Sequence, residues 1–334
     1  MKRPTLIDVA GLAGVSRATA ARVLGGAGNV DPAMTRAVHA AAEKLGYQTN
    51  AAARSLRSGR TGSVALILAI NELDGLAGPF TTGPLKGATS VLSAAGIQPA
   101  LLPAGPLDGE RIPHYLAGGH VDGAVVILQH EISDIVAHLA PVRQPIVYVG
   151  RPLDRTADAS PIYVDSDNYG GGRMAARALI AAGRTRIATI AGPSDMQAAI
   201  DRLAGWRDEL AESGRSEGGI VHGEFTMASG AEAMSRLLTR QPDLDGLFAA
   251  SDLMAIGASR VLAASGRAVP RDVSLIGFDD TVLAATSEPP LTTIRQPLEE
   301  LGRTAAEVVL RLIADPRTVE PIILPTQLVQ RDSV

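Results

Sequence analysis

The sequence predicts an α/β chain with a helical head: three short helices in helix-turn-helix spacing, then a body of parallel, doubly wound sheets. Three observations carry this expectation. The first fifty residues hold three helix starts, each with its own capping residue. The remainder alternates short apolar runs with helices of spaced Ala and Leu. Positive charge is gathered in the first sixty residues, where Lys2, Arg3, Arg17, Arg22, Arg36, Lys44, Arg54, Arg57 and Arg60 stand against Asp8, Asp31 and Glu43. That segment carries +6 in a chain of net charge -4, which leaves -10 for the body. A basic module for a polyanion joined to an acidic body accounts for the split, as does a merely solvated charged face.

In the head, Thr5 sits three residues before Asp8 and caps a helix over Leu6–Ala13 in a capping box, ended by Gly14. Ser16 caps Arg17–Leu24, which Gly25-Gly26 stops. Asp31 before Pro32 starts Pro32–Leu45, closed by Gly46. Val9, Val15, Val23, Val38, Ala41 and Leu45 supply a shared core. In the body, strands are expected at Val64–Ile70, Pro99–Leu102, Gly123–Leu128, Ile146–Val149, Ile187–Ala191, Gly246–Ala249 and Val273–Gly277. Helices are expected between them, among them Gly170–Ala182, Ile200–Glu212, Ala228–Arg240 and Asp252–Ser265. Roughly 270 residues of this pattern imply two sheets with a ligand cleft between them.

Composition narrows the function. The chain of 334 residues has 46% hydrophobic and 20% charged residues and no cysteine, which excludes disulfide scaffolds, thiolate metal sites and cysteine nucleophiles. Met1-Lys2-Arg3-Pro4 runs into the head without an apolar signal core, and runs such as Val64–Ile70 are too short to span a bilayer, so the cytoplasm is the expected location and no membrane partner is expected. Gly170-Gly171-Gly172-Arg173 lacks the Lys-Ser/Thr of a P-loop and reads as a helix start. The six histidines show no metal-ligand pairing, and no Gly-x-Ser-x-Gly elbow is present. No catalytic residue, metal or cofactor is therefore expected.

The head is arranged to read DNA. A helix, a tight turn at Ala13-Gly14-Val15 and a second helix from Ser16 present the leading side chains of that helix to a major groove. Arg17 has the fork for O6 and N7 of a guanine, and Ala18 suits a thymine methyl. Arg22 lies one turn on, for a base edge or a phosphate. Thr5, Ser16 and Thr19 can hold phosphates.

The run Thr5-Leu6-Ile7-Asp8-Val9-Ala10, then Ala13-Gly14-Val15-Ser16, Thr19, Arg22-Val23-Leu24, Leu45-Gly46-Tyr47 and Asn50, resembles the lactose-repressor (LacI/GalR) family, and the likeness continues through the body. It departs at Ala20-Ala21, where the family commonly has Val-Ser, so a hydroxyl contact is missing at Ala21. The resemblance implies a helix-turn-helix domain over 1–47, a hinge over 48–61 and an effector-binding and dimerisation body over 62–334. The body would be periplasmic-binding-protein-like, with an N-lobe of about 62–162 and 295–323 and a C-lobe of about 163–294 and 324–334. Asn50-Ala51-Ala52-Ala53-Arg54-Ser55-Leu56-Arg57 would form the hinge helix on DNA, with Leu56 wedging into the minor groove, Ala53 allowing close approach and Arg54 or Arg57 meeting phosphates. Without the preceding motif the same segment reads as a flexible linker.

The body matches the family at Val121-Asp122-Gly123, Asp167-Asn168, Arg202 with Gly205-Trp206, Ser251-Asp252, Gly277-Phe278-Asp279-Asp280 and Pro290-Leu291-Thr292-Thr293-Ile294 before Gln296. By that resemblance Arg202 and Asp279 line an effector cleft, with Arg151, Ser251, Asp252 and Gln296 as further polar candidates and Phe80 and Phe225 as ring faces for a sugar-like effector. Gly150 and Ser251 stand where the family often has Asp and Asn. The expected protein is a repressor binding a pseudo-palindromic operator as a homodimer or a tetramer, with an inducer or a corepressor. Arg202→Ala and Asp279→Ala are expected to leave operator binding intact and abolish the response. An enzyme and an architectural DNA binder are the alternatives; only the latter has no need of Arg202 and Asp279.

Overall fold

A computed structural model describes residues 4–25, 30–47, 59–69, 79–105, 108–128, 135–153, 161–317 and 319–334. The chain divides into two compact units, Met1–Gly62 with Gly119–Asp122, and the remainder.

The head forms helices α1 (Leu6–Ala13), α2 (Arg17–Leu24) and α3 (Pro32–Leu45), with the bounds the capping signals predict. Thr5 accepts from the Asp8 amide while Asp8 reaches back to the Thr5 amide, so the box is reciprocal. Ser16 Oγ accepts from the Thr19 amide at 3.0 Å, and Asp31 from those of Ala33 and Met34. Gly14 and Gly46 close α1 and α3 in the left-handed conformation that glycine adopts without strain. Val9, Ala10, Ala20, Val23, Val38, Ala41 and Ala42 are the buried centre. Asp122 accepts from the Thr61 amide at 2.6 Å and from the Gly62 amide at 2.8 Å.

Among the described residues the body forms two six-stranded sheets. The first contains β1 (Ser63–Ala69), β2 (Gln98–Ala104), β3 (Gly123–Ile127), β4 (Ile146–Val149), β5 (Ile162–Ser166) and, from near the C-terminus, β11 (Ile322–Leu324), in the order β11-β5-β4-β3-β1-β2. All its pairs are parallel. The second contains β6 (Ile187–Ala191), β7 (Ile220–His222), β8 (Gly246–Ala249), β9 (Ser274–Asp279), β10 (Thr292–Arg295) and β12 (Gln327–Val329), in the order β12-β10-β9-β8-β6-β7. Only β12 runs antiparallel, against β10. Helices accompany each sheet, most of them burying an apolar face, as parallel sheets require. They are α4 (Pro79–Ala94), α5 (Arg111–Ala117), α6 (Ile135–Leu139) and α12 (Leu298–Ala314) with the first sheet, and α7 (Asn168–Ala181), α8 (Gln197–Glu212), α9 (Met227–Arg240), α10 (Asp252–Ala264) and α11 (Val282–Thr286) with the second. No helix among the described residues is long and apolar enough to cross a membrane.

The chain passes between lobes after Ser166, Arg295 and Leu324. The first passage lies a few residues beyond the division expected at about residue 162, because Ile162–Ser166 pairs with β4 and β11 and so belongs to the N-lobe. Two helix pairs hold the lobes through contacts without side chains. A β-carbon at Gly302 of α12 would lie 1.9 Å from the Pro84 carbonyl oxygen in α4, and one at Gly205 of α8 would lie 2.0 Å from that of Tyr169 in α7. Gly170-Gly171-Gly172 is a helix start, as read: Asp167 caps it by accepting from the Gly170 amide. Gly171 leaves room for the Phe278 ring and Gly172 for the Arg202 carbonyl.

Candidate functional site

Two faces carry the candidate residues. On the head, Ser16, Arg17, Ala18 and Arg22 are exposed on α2, while Ala20 and Val23 on its other side are buried. Ser16 is spent on the cap, its hydroxyl lying 2.9 Å from that of Thr19, and Thr5 is likewise held by Asp8. The capped N-terminus of α2 thus leads with Arg17 and Ala18 facing solvent. Ala21 is half-buried. Asn50, Ala53, Arg54, Leu56 and Arg57, the hinge candidates, lie outside the described residues.

The second face gathers residues just beyond the carboxyl ends of strands, where open α/β sheets place their ligands. Arg151 follows β4, Ser251 follows β8, Asp279 ends β9 and Gln296 follows β10. Arg202 projects from α8 and is 4% exposed. Its guanidinium donates to Asn168 Oδ1 at 2.8 Å and to the Ala250 carbonyl at 2.6 Å, and lies 3.8 Å from Asp279 Oδ1. The Phe278 ring centroid is 3.7 Å from its carbon and that of Phe225 5.7 Å, so the cation lies over two aromatic rings. Gln296 donates to Asp279 Oδ1 at 2.7 Å. Arg151, from the N-lobe, donates to both oxygens of Asp201 on α8 at 2.7 Å, which links the N-lobe to the helix that carries Arg202.

Some candidates have structural partners instead. Ser251 caps α10 by accepting from the Met254 amide. Asp252 is fully buried and spends both oxygens, one on the Thr281 amide at 2.7 Å and one on the Thr293 hydroxyl at 2.5 Å. Phe80 packs on the N-lobe core. Phe225 sits over Gly192, with φ +56°. The sequence reading missed Asp165, Asp201 and Phe278 as members of the cleft, and Asn168 as Arg202's partner. Their signal was position: Asp165 sits at the end of β5 and Asp201 beside Arg202 on α8.

Burial and charge compete here. Burial pushes Asp165 up to about 6 against the amides of Ser166 and Arg151 and the Arg202 charge. It also raises Asp252, with the Asp279 charge adding to the rise, and Asp279, against the Arg202 charge, the Gln296 amide and the Asp252 backbone amide. Burial pulls Arg202 below the usual guanidinium range, opposed chiefly by Asp279. Carboxylates raised above their unfolded values, near 4, contribute stability that is full below that pH and lost as pH rises through the folded values. The melting temperature of the chain alone should therefore fall between about pH 5 and 8. Asp252→Asn should flatten that slope; an unchanged slope in Asp252→Asn would show that the buried pair does not set it. Asp272, held near 2 chiefly by Arg271, titrates below this window.

Residues 5–50 match the family model for bacterial regulatory proteins of the lacI family, and residues 176–334 match a periplasmic binding protein-like domain. The chain is 44% identical to the HTH-type transcriptional regulator CelR of Thermobifida fusca, over 99% of this chain and 98% of that one. It is 32% identical to the ribose operon repressor of Escherichia coli K12, over 93% and 94%. Among solved structures, a complex of the transcriptional regulator CelR with cellobiose matches with a TM-score of 0.76 at 43% identity, covering 99% of this chain and 100% of that one. A lac repressor dimer bound to operator and the anti-inducer ONPF matches with a TM-score of 0.83 at 27% identity, covering 99% of each.

Proposed function

Because the chain belongs to the lacI family of bacterial regulatory proteins, we propose that it is a cytoplasmic repressor that binds a pseudo-palindromic operator as a homodimer and answers to a sugar-like effector held at Arg202 and Asp279. Family membership makes it a DNA-binding transcription regulator rather than an enzyme. The observation that carries the effector reading is the buried cation: Arg202 lies over the rings of Phe278 and Phe225 with Asp279 beside it and Gln296 on Asp279, where a fork donor, a carboxylate acceptor and an aromatic face meet. Vicinal hydroxyls need that set of groups. A sugar also suits the charge balance, since Asp165, Asp201, Asp252 and Asp279 outnumber Arg151 and Arg202.

The sugars bound by relatives guide the panel: cellobiose in the solved CelR complex, and ribose, which the name of the ribose operon repressor suggests. Coupling requires that the effector bind one lobe arrangement better than the other, by a factor equal to its effect on operator affinity. An operator selected from random duplexes should be bound with an affinity that changes on adding cellobiose, ribose, glucose or galactose. Asp279→Asn should keep the operator affinity and lose the change. If no sugar alters it, the effector reading fails while the DNA-binding reading stands. In the same assay Arg17→Ala should cost about 1–3 kcal/mol on the selected operator and relax one position per half-site. Equal loss on random DNA would make Arg17 a phosphate contact.

An architectural DNA binder is the weaker reading. Nothing in such a role calls for a guanidinium buried at the ends of the sheets beside a largely buried carboxylate.

A further inference from the structure

The turn that presents Asp279 has an unusual backbone. Asp279 has φ +114° and Asp280 φ +59°, two consecutive non-glycine residues in a region that L side chains rarely adopt. Such strain persists only where the surroundings over-determine it. On the inner side Asp252 holds the Thr281 amide, and the Thr293 hydroxyl is within 3.4 Å of the Asp280 amide. On the outer side Asp280, its side chain 10% exposed, is gripped by two guanidiniums, those of Arg295 and Arg331. Arg331 is itself fixed: its amide donates to Thr292 Oγ1 at 2.9 Å and its fork to the Leu291 carbonyl at 2.7 Å. Adjacent carboxylates therefore serve opposite partners, Asp279 the Arg202 and Gln296 groups, Asp280 the outer pair.

We propose that Arg331, assisted by Arg295, is a positioning residue of the effector site, gripping Asp280 so that the left-handed turn keeps Asp279 aimed at Arg202 and Gln296. The inference rests on the effector reading above, since it assigns a holder to the carboxylate that reading uses. It gives a role in ligand response to the last residues of the chain, which reach the C-lobe only after the third passage between lobes. A planar fork is required because one group must reach Asp280 and a backbone carbonyl together, which a lysine cannot do in the same geometry.

The test is calorimetric titration of the full chain with cellobiose, ribose, glucose and galactose, below each variant's melting temperature, beside operator affinity without sugar. Arg331→Ala should weaken binding of whichever sugar the wild type takes by roughly tenfold or more, with operator affinity unchanged. Arg331→Lys should recover part of the loss. Asp280→Gly separates clamp from backbone, because glycine adopts the positive φ freely yet offers no carboxylate. It should be as weak as Arg331→Ala, and the double variant no weaker than either. Wild-type sugar affinity in Arg331→Ala or in Asp280→Gly overturns the proposal, as do losses that add in the double variant. If Arg331→Ala does not fold, Asp280→Gly and Asp280→Asn decide it by the same comparison. A wild type that binds none of the four sugars overturns the sugar reading and takes this inference with it, whereas a wild type that binds beside a normal Arg331→Ala overturns the inference alone.

Discussion

Arg202→Ala is expected to destabilise the body by about 3–5 kcal/mol at pH 7.5, far more than a residue that only touches ligand. The reason is what the cation leaves behind. Asn168 Oδ1 and the Ala250 carbonyl lose their donor, and Asp279, Asp165 and Asp252 lose the charge that offsets theirs. Protons can partly replace it, since protonated carboxyls need no cation, so the deficit should shrink as pH falls toward 5. Urea unfolding of the two chains at both pH values measures this. Equal midpoints at pH 7.5 would remove the electrostatic account. The sequence-based expectation that Arg202→Ala leaves operator binding intact and abolishes the ligand response therefore gains a stability cost, because Arg202 supports the lobe as well as facing the cleft. Asp279→Asn, which keeps the Gln296 contact and the volume, is the cleaner probe of ligand binding.

Gly205→Ala should cost about 1–3 kcal/mol or more although it adds one methyl group. The added carbon would sit 2.0 Å from the Tyr169 carbonyl oxygen, and backbone cannot rotate away as a flexible side chain can. α7 and α8 would have to separate, and α8 also carries Arg202, three residues before. Weaker sugar binding should accompany the lower melting temperature. A variant as stable as wild type would mean that the two helices slide apart without resistance. Gly172→Ala, whose carbon would meet the Arg202 carbonyl oxygen at 2.1 Å, should behave alike.

What the sequence disclosed follows the range of each interaction. Thr5, Ser16 and Asp31 act on amides two or three residues ahead, so all three helices of the head could be read with their ends. The strands β4, β6 and β8 were legible as apolar runs. β10 was not read as a strand, because Thr292-Thr293-Ile294-Arg295 looks half polar. Its threonines are buried all the same, their hydroxyls bonded to the Arg331 carbonyl and to Asp252, groups about forty residues away. β5 was missed for a related reason, since its end carries Asp165 and Ser166 toward the cleft. Long-range partners also decided the site. Nothing local distinguishes Asp279, which faces Arg202, from Asp280, which faces Arg331, or from Asp252, which is consumed by Thr281 and Thr293.

The enclosure of Arg202 has a consequence for ionic strength. Mobile ions screen charges that water reaches, over roughly 8–10 Å at physiological salt, and do little to charges sealed in protein. A guanidinium 5% exposed and stacked over the Phe278 ring is sealed, whereas Arg17 and Arg22 on α2 lie open. Binding of a duplex also releases condensed counterions, so that its affinity drops steeply as salt rises. Potassium chloride should thus act as a selective dial, loosening the head from DNA over a range in which sugar affinity stays level, and the two ends of the regulator can be titrated apart without altering a residue.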